Sequence, residues 1–169
     1  MTQTSRVAIL MGSDSDWERL KPCASTLREH GEDPIVRVLS AHRTPEETSA
    51  FASEAREKGI CVIICAAGGA AHLAGVVAAH TTLPVVGVPL DNPPMDGMDS
   101  LLATVQMPGG VPVATVGAGR GGPINAALLA LRIIGVADSN TAARMEAFKA
   151  AQRDRVLEKD AGLQKNLEA

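Results

Sequence analysis

Three short segments carry the side chains that could do chemistry. Ser40-Ala41-His42-Arg43-Thr44-Pro45 sets a histidine beside an arginine. Imidazole is the side chain that changes charge near neutral pH, and a guanidinium presents a planar fork of donors that fits a phosphate or carboxylate. Gly12-Ser13-Asp14-Ser15-Asp16 adds two hydroxyls and two carboxylates. At a helix start, Ser13 and Ser15 beside backbone N–H groups suit a phosphate. Asp16 would repel that anion and is better matched to sugar hydroxyls, which can donate to a carboxylate. Asp14 reads as an ordinary first-turn acid serving the helix dipole. In Ala67-Gly68-Gly69-Ala70-Ala71-His72, small residues let backbone approach a ligand closely. Each segment also has a plainer explanation: a solvated βα connection for 40–45, the helix dipole for Asp16, close helix–strand packing for 68–71. His72 reads as a supporting group rather than a base, and His80 as a surface residue.

These segments need a frame that brings them together. Residues 6–11 (RVAILM), 60–65 (ICVIIC) and 84–88 (PVVGV) are apolar runs of the kind that form strands buried on both faces. Residues 35–39 read as a further buried strand and 112–116 as a fifth. Helical spacing covers 17–30, where Pro22 marks a kink or a late start. A second helix is expected over 45–58, opened by Thr44 as N-cap with Glu47 three residues on, a capping box. Others follow from the small-residue turn to about His80, over 100–106, and over 123–134. Strands alternating with helices predict an α/β chain: one doubly wound parallel sheet of about five strands, a flavodoxin-like three-layer sandwich. In such sheets ligands bind beyond the carboxyl ends of the strands, where all three segments fall. A single domain spans 1–169, with its core over about 6–136. An amphipathic helix is expected over about 139–160, with the last ten residues frayed. Its stripe of Ala142, Met145, Phe148, Ala151 and Val156 needs a partner, either a neighbouring subunit or its own sheet.

Composition narrows the functional classes. A chain of 169 residues suits one domain, and a net charge of −3 gives no basic surface for nucleic acid. With no Tyr and two Phe there are no base-stacking platforms either. Cys23, Cys61 and Cys65 form no CxxC or zinc spacing. No apolar run reaches membrane-spanning length and the start shows no apolar leader, so a soluble, cytoplasmic protein is expected. Residues 117–122, Gly-Ala-Gly-Arg-Gly-Gly, match GxGxxG. The match is weak, because this is the last unit of the sheet and no following strand carries an acid to a ribose. A turn that packs the final helix closely and helps wall the site is the preferred reading.

Taken in order, MGSDSDW (11–17), SAHRTP (40–45), AGGAAHL (67–73), LPVVGVP (83–89), DSLLATVQMPGGVPVAT (99–115) and NAALLA (125–130) resemble the bacterial class of 5-(carboxyamino)imidazole ribonucleotide mutases of purine biosynthesis, the PurE family. The chain departs from the family pattern at Ala66 (commonly Gly), at Ala74 (usually Pro) and in the glycine turn at 117–123. The resemblance implies an isomerase without metal or organic cofactor, acting on a small ribonucleotide and assembled as a homo-octamer whose C-terminal helix reaches a neighbour. It implies His42 as the catalytic proton shuttle. It assigns substrate contacts to Ser13, Ser15, Asp16 (ribose), Ser40 and Arg43 (phosphate). Gly68, Gly69, Ala70 and Ala71 with His72 would form the pocket that holds carbon dioxide. Two alternatives stand beside it: a carboxylase acting directly on aminoimidazole ribonucleotide or a related ribonucleotide, and a non-catalytic nucleotide-binding module resting on 117–122.

Overall fold

The computed structural model describes residues 5–167. Residues 1–4, where the start without an apolar leader was expected, and 168–169 of the tail lie outside that range. Five parallel strands, β1 (Val7–Met11), β2 (Ile35–Val38), β3 (Val62–Gly68), β4 (Val85–Leu90) and β5 (Ala114–Thr115), form one sheet in the order 2-1-3-4-5. This is the doubly wound, flavodoxin-like arrangement, and the order reverses between β1 and β3. Among the described residues six α-helices accompany them: α1 (Trp17–Glu29), α2 (Pro45–Glu54), α3 (Leu73–Ala79), α4 (Met98–Val105), α5 (Gly122–Gly135) and α6 (Ser139–Leu167). No helix among the described residues is long and apolar enough to cross a membrane.

The side-chain period of two in a strand divides the core into two layers. Val7, Ile9 and Met11 pack with Leu20, Leu27 and Leu131 under α1 and α5, while Ala8 and Leu10 pack with Phe51, Ile63 and Val77 under α2 and α3. Burying each of the larger side chains contributes roughly 1.5–3 kcal/mol before entropy is charged against it.

Several sequence expectations are corrected. β2 is an edge strand, not a buried one: Val38 is half exposed. β-Branched residues favour strands at edge and centre alike, so the apolar run could not tell the two apart. α1 runs through Pro22 from a single 3-10 turn at Asp14–Asp16, so the helix does not start late. Thr44 is the N-cap residue of α2, but its side chain makes no capping bond. The helix ends at Glu54, and a turn carries the chain to Gly59, which adopts φ +82. α6 continues as a helix to Leu167 rather than fraying. The stripe expected on it is divided. Met145 is buried in the chain's own core and Phe148 packs against that core, edge to face with His30 at 5.2 Å. Beyond them Val156, Leu157 and Leu163 stand exposed.

Candidate active site

Register places the site. Met11 pairs with Val38 on one side and Ala66 on the other, and Gly68 pairs with Leu90. The carboxyl ends of β1, β2, β3 and β4 therefore finish together, and the segments that follow them meet over the β1/β3 switch point. A pocket there is lined by Gly12, Ser13, Ser15 and Asp16 from the first segment and by Ser40, Ala41, His42 and Arg43 from the second. Ala67, Gly68, Ala70 and Leu73 come from the third, and Asn92 from the segment after β4.

The loop that carries the histidine is held by its own hydroxyls. The buried Ser40 accepts through Oγ from the backbone N–H groups of Arg43 (3.2 Å) and His42 (3.4 Å). Thr44 Oγ1 accepts from the N–H of Ser40 (2.8 Å), and Thr48 donates to the carbonyl of Thr44 (2.8 Å). Thr44 thus holds the loop instead of completing the expected capping box, because its side chain turns back to Ser40. Ser40 is a lining residue whose hydroxyl is engaged with its own loop. His42 and Arg43 are left exposed on this rigid base.

His42 and His72 meet across the mouth of the pocket. His42 Nε2 lies 2.8 Å from His72 Nδ1, with the rings edge to face at 4.9 Å. One nitrogen of this pair must donate and the other accept, so the two rings share a proton position and orient each other. Arg43 donates to the carbonyl of Gly12 (3.0 Å), which fixes one arm of the guanidinium and leaves further donors free. Ser13 Oγ and Ser15 Oγ are 2.8 Å apart, and the N–H of Ser15 donates to Ser13 Oγ (3.3 Å). Partial burial raises the Asp16 carboxyl above its ordinary range, against the opposing pull of Arg19 and Arg43. The arrangement offers cationic and hydroxyl donors for an anion, a carboxylate for hydroxyls, and an imidazole over a small-residue wall.

Of the residues singled out from sequence, Ser13, Ser15, Asp16, Ser40, His42, Arg43, Gly68 and Ala70 line the pocket. Gly69 and Ala71 do not. Gly69 makes the turn at φ +61, and Ala71 is buried. His72 lies outside the lining and touches it through His42. Asn92 was missed. It lies in a proline-rich stretch that reads as a turn, and only the Gly68–Leu90 register carries it to the pocket.

The sequence profile of the AIR carboxylase family matches residues 6–155. The chain belongs to that family. It is 52% identical over 165 residues, spanning 98% of this chain and 95% of the relative, to a Mycobacterium leprae protein named N5-carboxyaminoimidazole ribonucleotide mutase. A Bacillus subtilis protein of the same name is 50% identical over 152 residues, covering 90% of this chain and 94% of its own. A crystal structure of Treponema denticola PurE superposes with a TM-score of 0.85 at 30% identity, covering 93% of this chain and 97% of that one. The family match takes in every residue that lines the pocket.

The glycine run at 117–122 does not wall this site, contrary to expectation, and lies apart from it. It follows β5, and its members Gly119 and Arg120 line a separate cleft with Glu18, Arg19 and Pro123. A Cβ added at Gly122 would lie 2.1 Å from the carbonyl oxygen of Gly117. Close packing of the start of α5 therefore requires glycine there. Asp138 sits at the turn into α6, where it pairs with Arg6 (2.6 Å) and accepts from the N–H of Thr141 (3.0 Å).

Proposed function

We propose that this protein is a 5-(carboxyamino)imidazole ribonucleotide mutase, moving a carboxylate from the exocyclic nitrogen of the substrate to its ring carbon. The observation that carries this reading is the convergence, in one pocket of a family member, of His42 and Arg43 with Ser13, Asp16 and the wall at Gly68 and Ala70. The names of the relatives support it. Arg43 and the serine hydroxyls take the phosphate, and Asp16 accepts from the ribose. His42 delivers a proton to the exocyclic nitrogen as its bond to the carboxyl carbon breaks and carbon dioxide is released. The ring carbon then attacks the carbon dioxide, and the same imidazole, now a base, removes the proton from that carbon. Protons and carbon balance, so no co-reactant is consumed. The small residues Gly68 and Ala70 leave room for carbon dioxide while excluding water, which keeps the intermediate from escaping. His72 holds the His42 ring on its trajectory.

A homo-octamer in the cytoplasm fits this reading. Exposed Met98, Leu102 and Val105 on α4 and Val156, Leu157 and Leu163 on α6 supply apolar surface for self-association. The deciding experiment supplies the purified protein with 5-(carboxyamino)imidazole ribonucleotide, or separately with aminoimidazole ribonucleotide and bicarbonate. Isomerisation of the first at low bicarbonate supports the mutase. Product from the second pair alone would make the protein a carboxylase.

A further inference from the structure

Asn92 presents an oriented donor to the pocket, and α1 holds it there. Two residues beyond the end of β4, it lies over Gly68, so that a Cβ added at Gly68 would be 2.0 Å from Asn92 Nδ2. Arg19, on the exposed first turns of α1, donates through Nη1 to Asn92 Oδ1 (2.7 Å) and pairs with Asp91 Oδ1 (3.0 Å). A guanidinium only donates, so the atom it meets must be the amide oxygen, and the orientation of the amide follows. The NH2 group is turned toward the bare backbone of Gly68. That nitrogen makes no hydrogen bond among the described residues, and it is not sealed from the pocket. The charge of the same guanidinium also acts on the Asp16 carboxylate, which lines the same pocket as Asn92.

Building on the proposed mutase reading, we propose that Asn92 is a further substrate-positioning residue. Its Nδ2 donates to an acceptor oxygen on the sugar half of the ribonucleotide, while Asp16 accepts from a hydroxyl of the same half. Arg19 is the positioning residue that keeps the donor end facing inward. A plainer role, filling the space that Gly68 leaves, makes a different prediction, because it depends on shape and not on which end donates.

The test compares Asn92→Asp, which keeps the shape and replaces the donor by an acceptor, with Asn92→Ala and Arg19→Met. Each is assayed with 5-(carboxyamino)imidazole ribonucleotide and melted alongside the parent. Loss of one hydrogen bond should raise KM about three- to tenfold in Asn92→Ala and at least as much in Asn92→Asp, with kcat within about twofold of the parent. Arg19→Met should raise KM by less, since the freed amide still visits the donating orientation. Parental KM in Asn92→Asp would overturn the proposal and leave the space-filling role, even if Asn92→Ala melted lower. A parent protein that did not turn over the ribonucleotide at all would overturn the mutase reading and this inference with it.

Discussion

Replacing His42 by Asn separates chemistry from structure at this site. Asn has similar reach and can still hydrogen-bond to His72, but it cannot take up and return a proton. General acid–base catalysis by one positioned group contributes about 10²–10⁴-fold, or roughly 3–5 kcal/mol of transition-state stabilisation. The fold should hardly notice. The His42 side chain is exposed, and its packing contact is the edge-to-face meeting with His72. The bonds that shape its loop run through backbone N–H groups and the side chains of Ser40 and Thr44, which the substitution leaves in place. Stability should therefore change by less than about 0.5 kcal/mol, a shift in Tm of under about 2 °C for a chain of this size. Turnover measured by product formation should fall at least 100-fold while substrate binding by calorimetry stays near that of the parent. A variant that kept a rate within tenfold of the parent would refute the assignment of the proton to this imidazole. A large drop in Tm would refute the claim that the loop is held from below.

Other outcomes follow from packing and charge. Gly122→Ala places a methyl 2.1 Å from a backbone oxygen and should cost about 1–3 kcal/mol, whereas Gly121→Ala, with nothing within 4 Å, should melt close to the parent. Equal melting of the two would argue against the close-packing account of the turn. The N–H of Thr141, with Arg6, holds the Asp138 carboxyl down to about 2 from an ordinary 3.8. Its ionised form therefore stabilises the fold above about pH 4, and that contribution is lost as pH falls toward 2. Asp138→Asn should be less stable than the parent at pH 6, with the gap closing in acid; a gap independent of pH in denaturant titrations would contradict this. Truncation after Gln152 spares Met145 and Phe148, so the protomer should stay folded while the assembled mass falls by light scattering. An unchanged mass would exclude the distal α6 from assembly.

The parallel α/β frame and the three site segments were legible because they are local. Buried strands read as unbroken apolar runs, and glycine and serine clusters punctuate the ends of β1 and β3 whatever lies next to them. Edge and centre were not legible, since β2 and β4 are similarly apolar over a few residues and differ only in what pairs with them. The partner of Thr44 was misread for a related reason. A capping box and a loop clasp use the same hydroxyl, and the path of the loop after β2 decides which backbone group it meets.

Residue order alone thus determined the element sequence, the strand-end position of His42 and Arg43, and the small-residue character of the wall. The tertiary structure decided which side chains share the pocket. It brought His72 against His42 and set Ser40 to hold the loop. It also buried Met145 in the chain's own core and swung Asn92 over Gly68 under the grip of Arg19. The physical reason is that apolar periodicity and turn chemistry act over a few neighbouring residues. Strand register and helix packing instead join positions far apart in the chain, as β1 with β3 or Leu27 of α1 with Leu131 of α5, through contacts that exist only once the sheet has formed.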